Sequence, residues 1–280
     1  MARNHSKHII TMEEYLIDSE LGSESIVYST GSYILYILLA LLPAIILMAF
    51  ILWRDKVRPE PAKELILAFL MGLLTLPMAI FLETSAEKLG LVPSSLDNWR
   101  DCLGMAFVGA AIPEELVKII ILWAFFKWRK HQNEFMDGIV YAVCIGLAFA
   151  AAENIRYVLA AMDLIPMYTT EYVYATGVVR ALTAVPGHFG FAVIMGYFYS
   201  FYLFSKYRKT MYLALAFIVP VLFHGLYDFF AFMQYLPTMW QTVISFAFFL
   251  VFFLLNNLCV KAIRTALNLD DAEHSKKLPL

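Results

Sequence analysis

The sequence predicts an all-α fold: a polytopic transmembrane helix bundle of about seven spans. Three observations predict it. First, 61% of the 280 residues are hydrophobic and only 16% are charged, where soluble domains carry about a quarter charged residues. Second, the mean hydropathy is +0.69. Third, the apolar residues fall in long blocks, several exceeding the roughly 20 residues a helix needs to cross a bilayer. A soluble chain of this length would also show charged amphipathic stripes, and few are present. The net charge of −2 carries no information, because charge in a membrane protein acts loop by loop.

Residues 1–32 form a polar, mildly acidic tail bearing Glu13, Glu14, Asp18, Glu20 and Glu24. It lacks the basic start and short apolar core of a cleavable signal peptide. The spans follow at about 33–52, 64–82, 102–126, 137–162, 173–205, 211–232 and 239–260. The fifth is long enough to be tilted, or broken at Pro186-Gly187. A membrane-embedded domain over 33–262 and a polar cytoplasmic tail over 263–280 complete the organisation. Loop 53–63 carries Arg54, Lys56, Arg58 and Lys63; loop 127–136 carries Lys127, Arg129 and Lys130; loop 206–210 carries Lys206, Arg208 and Lys209; the C-terminal segment carries Lys261, Arg264, Lys276 and Lys277. The alternate loops are poor in lysine and arginine. Because basic loops stay in the cytoplasm, seven spans put the N-terminus outside and the C-terminus in the cytoplasm. Cys102, Cys144 and Cys259 lie in apolar stretches without metal-type spacing and read as buried free thiols. No internal repeat is visible.

Against this apolar background stand ionisable residues that each cost about 2.5–3.5 kcal/mol to insert. They concentrate in four spans: Glu114, Glu115 and Lys118 in the third; Glu153, Arg156 and Tyr157, beside the polar Asn154, in the fourth; Arg180 and His188 in the fifth; His224 and Asp228 in the sixth. Spacings of three or four residues put Glu114, Glu115 and Lys118 within reach of one another and let Asp228 orient His224. A rise of about 1.5 Å per residue sets the cluster between the middle of the bilayer and its outer half. Spans three to six therefore build a polar centre, with the others as scaffold. The remaining phenylalanines, tyrosines and tryptophans read as lipid-facing or interfacial.

Peptide hydrolysis inside a membrane needs a water, a base to activate it and donors for the developing oxyanion. One of Glu114 and Glu115 suits the base, with Lys118 and Arg180 in range to hold one of the pair ionised. His188 can hold the water or shuttle its proton. His224, oriented by Asp228, can stabilise the oxyanion or protonate the leaving amine. Glu153, Asn154, Tyr157 and Arg180 are supporting residues.

At these positions the sequence resembles the PrsW family of bacterial intramembrane proteases, a neighbour of the CAAX prenyl and bacteriocin-processing enzymes. The matching residues are Glu114-Glu115-Leu-Val-Lys118; Asp137-Gly138-Ile-Val-Tyr141 leading to Gly146-Leu-Ala-Phe-Ala, Glu153-Asn154 and Tyr157; Arg180; Pro186-Gly187-His188 with Gly196; and His224-Gly225-Leu-Tyr227-Asp228-Phe229. Arg58-Pro59-Glu60-Pro61 also fits the pattern, and the similarity covers about 35–260. The resemblance implies a multi-pass protein of the bacterial cytoplasmic membrane that makes the first cut in a membrane-anchored regulator, typically a single-pass anti-sigma factor. In the family pattern the glutamate pair and the histidines at 188 and 224 carry catalysis. Such proteins are often called metalloproteases. Zinc on Glu115, His188 and His224 is one option; no HExxH is present, and a metal-free, glutamate-activated water is the favoured expectation. No nucleic-acid partner is expected. Two other functions use the same residues: a proton- or ion-coupled transporter and a non-catalytic relative that binds membrane partners.

Overall fold

The computed structural model describes residues 30–129, 133–163 and 170–277. Most of the tail expected over 1–32 lies outside them. The described residues are all-helical, with no strand among them. Six helical stretches are long and apolar enough to cross a membrane. In chain order the elements are α1 (Thr30–Arg54), α2 (Ala62–Leu73) and α3 (Thr75–Lys88), α4 (Trp99–Gly104), a π-helical stretch π1 (Met105–Ala111) and α5 (Ile112–Trp128), α6 (Phe135–Asp163), α7 (Thr170–Leu182) and α8 (Ala184–Phe204), α9 (Lys209–Met233) and α10 (Gln241–Lys277).

Several of these stretches are jointed, each for a local reason. The run from Trp99 to Trp128 is continuously helical, but it carries the glutamates and lysine of the third expected span and is not among the six apolar stretches. It begins at Asn98, whose side chain accepts from the amides of Arg100 and Asp101 while Asp101 accepts from the Asn98 amide. This reciprocal capping box satisfies donors that a helix start otherwise leaves open. Further on, Pro113 cannot donate to the preceding turn, and the chain runs in the wider π register just before it. The fifth expected span breaks, but at Thr183 and not at Pro186-Gly187. Pro186 falls in the first turn of α8, where a missing N–H costs nothing, so the helix restarts ahead of the proline.

The core is α6. Of its most apolar window 89% is buried, against 17% for α1 and for α10. Its closest neighbour is α8, and small residues allow the approach. A methyl group on Gly196 would overlap the carbonyl of Gly138.

One end of the bundle is closed by a polar seam. Arg129 grips the buried Glu64 through two hydrogen bonds of 2.7 and 2.6 Å. Arg58 pairs with Glu134 and Asp271. The Tyr141 hydroxyl donates to Glu60. Residues 263–277, read above as part of a polar tail, continue α10 as a helix. Asp270 within them accepts from the backbone amides of Phe135 and Met136 at 2.6 and 2.9 Å, which caps the start of α6. Three of the basic segments singled out in the sequence thus meet at one end.

Candidate active site

Glu114 and Glu115 leave the first turn of α5, immediately after π1, and Lys118 follows one turn later. All three are buried. The Lys118 ammonium donates to Glu115 Oε1 at 2.8 Å and to Glu114 Oε2 at 3.2 Å, and it lies 3.4 Å from His188 Nδ1. It also stands 4.0 Å from the centre of the Phe149 ring, which adds a cation–π contact to a desolvated charge.

The other helices bring their groups to the same place. His188, on α8, places Nε2 2.9 Å from Glu153 Oε2 of α6. An ammonium only donates, so Nδ1 of His188 accepts and Nε2 carries the proton that goes to Glu153. Glu153 is itself held by Arg180 of α7 at 2.7 Å, and the same guanidinium donates to Asn154 at 2.9 Å. Asn154 in turn donates to the Ala40 carbonyl of α1. Arg180 lies over the Tyr157 ring, 3.7 Å from its centre. His224, on α9, places Nδ1 3.0 Å from Glu115 Oε1 and Nε2 3.3 Å from Asp228 Oδ2. The i, i+4 pairing of His224 with Asp228 is therefore formed.

The ten residues given a role from the sequence thus form one connected cluster, although Arg180 serves Glu153 and not the Glu114–Glu115 pair; Arg156, grouped with them in the sequence, is exposed. Sequence reasoning gave no role to the aromatic and hydroxyl groups around the histidines. Phe191 stacks on His224 with ring centres 4.6 Å apart. Tyr227 donates to Thr183 at 2.9 Å, at the joint between α7 and α8. Phe107 of π1 packs so closely on Gly225 that a methyl group there would overlap its ring. These residue types occur throughout the chain, so type alone did not separate them from lipid-facing neighbours. The i, i+3 spacing of His188 and Phe191 was the available signal.

A cavity of about 470 Å³ leads to this cluster. Glu114, Glu153, His188, His224 and Asp228 line its floor, and Tyr172 of α7 and Tyr235 beyond the end of α9 line its far end. Tyr235 is exposed. Since α9 starts near the polar seam and runs away from it, the cavity reaches the opposite end of the bundle. Glu115 is absent from the wall.

The donor set also fits a divalent cation. One ligating atom from each of Glu114, Glu115, His188 and His224 lies within 4.8 Å of all the others. Glu115 Oε2 is buried without a partner. Each histidine has Nε2 against a carboxylate, the arrangement that supports metal-binding imidazoles, while Nδ1 faces Lys118 in His188 and Glu115 in His224. Four carboxylates (Glu114, Glu115, Glu153, Asp228) face only two fixed cations (Lys118, Arg180). The centre is formally short of two positive charges, which protons or a divalent ion supply. The set is one residue larger, by Glu114, than the zinc option that the sequence left open beside its favoured metal-free site.

Comparison with known proteins agrees with this geometry. Residues 60–255 match the family described as PrsW family intramembrane metalloprotease. Protease PrsW of Clostridioides difficile (strain 630) is 31% identical over 221 residues, covering 78% of this chain and 87% of the relative. Protease PrsW of Bacillus subtilis (strain 168) is 29% identical over 188 residues, covering 67% and 78%. No solved structure matches the chain significantly. With its apolar helices and bacterial relatives, this is a multi-pass bacterial membrane protein and an intramembrane protease, and the chain belongs to the PrsW family.

Proposed function

We propose that the protein cleaves a single-pass membrane protein, with Glu114 as the base that activates water. The carrying observation is the division of labour in the glutamate pair. Glu114 lines the cavity, where water and substrate enter, and Glu115 lies behind it, bound to Lys118 and His224. Glu115 is then the anchor that fixes both partners. His224, set by Asp228 and stacked on Phe191, meets the oxyanion or returns the proton to the leaving amine. His188, its tautomer set by Glu153, turns its acceptor nitrogen toward Lys118 and so helps hold the ammonium beside the glutamate pair. When bound, a divalent ion such as zinc would be held by Glu115, His188 and His224, leaving Glu114 as the base, and would supply Lewis-acid polarisation and a more acidic water.

The cavity also bears on the substrate. An intact helix is about 10–12 Å across with its side chains, more than 470 Å³ admits over several turns. The cleaved segment is therefore a short unwound stretch. Entry at the end away from the basic seam supports a cut near the outer face of the membrane. That fits a site-1-type cleavage of a membrane-anchored regulator such as an anti-sigma factor. The seam also supports seven crossings with the C-terminus in the cytoplasm, since contacts between 58, 134 and 271 require the helical run Trp99–Trp128 to cross as well.

The test is cleavage of a panel of single-pass membrane proteins by purified wild type, Glu114→Gln and Glu115→Gln, with and without a chelator. Glu114→Gln is expected to lose turnover while retaining substrate capture and melting temperature; Glu115→Gln is expected to lose turnover and stability together. Full cleavage by Glu114→Gln sinks the assignment. Loss in wild type on chelation, restored by zinc, places a metal at the same donors.

A further inference from the structure

On the opposite side of α8 from the catalytic cavity lies a second indentation of about 390 Å³. Its floor is Pro186 and Phe189 of α8, and its walls come from α1 and α10, which both pack on α8. Each wall is one helix face. Leu47, Phe50 and Arg54 line it from α1, and Asn256, Val260 and Arg264 line it from α10. Spacings of three and four residues keep each set in one row, so Leu47 and Phe50 on one wall and Asn256 and Val260 on the other lead to an arginine at the same end. From Asn256 to Arg264 the row runs about 12 Å along the helix axis.

The arginines distinguish this groove from an ordinary lipid-facing furrow. At the same end of the bundle, Arg58 and Arg129 are both paired with carboxylates. Among the described residues Arg54 and Arg264 form no ion pair; Arg54 only borders the ring of Trp53. Two guanidinium groups without a carboxylate, closing an apolar groove at the membrane's edge, call for an anion that brings its own hydrocarbon. Basic pockets between transmembrane helices on the cytoplasmic side are suited to anionic headgroups, and guanidinium forks bind phosphate oxygens bidentately.

We propose that this groove binds one anionic phospholipid, with its phosphate between Arg54 and Arg264 and an acyl chain along Phe50, Val260 and Phe189. The site does not depend on which residue is the catalytic base. It touches catalysis only indirectly: the acyl chain packs on Pro186 and Phe189, which flank His188 on the far face of α8.

The experiment uses full-length protein in detergent, delipidated and then offered phosphatidylglycerol or phosphatidylcholine. Retained lipid is read by native mass spectrometry and by melting temperature. Wild type is expected to keep one phosphatidylglycerol at least tenfold over phosphatidylcholine and to melt several degrees higher with it. The preference should disappear in Arg54→Gln/Arg264→Gln. Arg264 is exposed, so the single Arg264→Gln variant serves if the double variant folds poorly, and it should lose most of the preference. Equal retention of the two lipids, or a variant that keeps the preference, overturns the proposal. An equal melting shift with glycerol phosphate alone reassigns the site to a free phosphate. A wild-type dimer that the double variant dissolves assigns the groove to a second copy.

Discussion

Two regions of this bundle bury carboxylates and cations, and they differ in how the groups are satisfied. In the seam at the basic end, most charges have a fixed partner: Glu64 has Arg129, Asp270 has two backbone amides, Glu60 has the Tyr141 hydroxyl and Arg58 ion-pairs with two acids, although its Nε makes no hydrogen bond. In the centre the groups converge on a shared space instead. One ammonium contacts three of them, a carboxylate oxygen has no partner, and a cavity reaches the cluster from outside. Burial of charge is therefore no mark of an active site by itself. Satisfied pairs hold helices together, and convergent, under-partnered groups beside a cavity are the place to test for chemistry.

The largest expected separation comes from removing one charge in the centre. Glu114→Gln should lower the cleavage rate by about 10²–10⁴-fold, the usual contribution of a general base, with little change in melting temperature. A variant that melts much lower and cleaves normally per folded molecule would move Glu114 into the seam's class.

Next comes a residue that acts through another. Glu153→Gln keeps the size of the side chain but no longer fixes the proton on His188 Nε2. Activity should fall about 10–100-fold, as for lost partners of active-site imidazoles. The pH profile of kcat should shift with it, which a purely structural defect would not produce.

In the seam, Asp270→Ala removes the acceptor for two buried amides at the start of α6. Leaving such donors unsatisfied costs about 1–3 kcal/mol. Denaturant or thermal unfolding in detergent should show that loss, and kcat per folded molecule should stay within a factor of two, roughly what remains once a pure stability change of this size is corrected for. A selective loss of kcat would erase the distinction between the regions.

A pH-dependent effect concerns Asp55, just past the end of α1. Burial, with Glu60 and Glu134 nearby, raises its carboxyl from 3.8 to about 7. The folded protein then holds a proton that the unfolded chain gives up near 3.8. Stability from this position is complete below that value and is lost as pH rises toward 7. Asp55→Asn should match wild type in melting temperature at pH 4 and exceed it at pH 8. Parallel melting curves across that range would count against a buried proton at Asp55.

Sequence alone determined the class of this molecule. Long apolar blocks can satisfy their backbone in a bilayer only as helices, and the few ionisable residues inside them are too costly to be incidental. That logic picked out the ten polar residues of the centre, and helical spacing paired Lys118 with both glutamates and His224 with Asp228, because partners one turn apart are fixed by the helix itself. Tertiary structure decided everything that joins one helix to another. That Arg180 holds Glu153 and not the glutamate pair, that Glu153 sets the tautomer of His188, that Phe107 seats against Gly225, and that Glu114 faces the cavity with Glu115 behind it all depend on the rotation and depth of separate helices. Those follow from packing at contacts such as Gly138 against Gly196 and from the π turn before Pro113, which hydropathy does not encode. For the same reason the break at Thr183, the docking of 263–277 by Asp270 and the groove between Arg54 and Arg264 became visible only once the helices stood side by side.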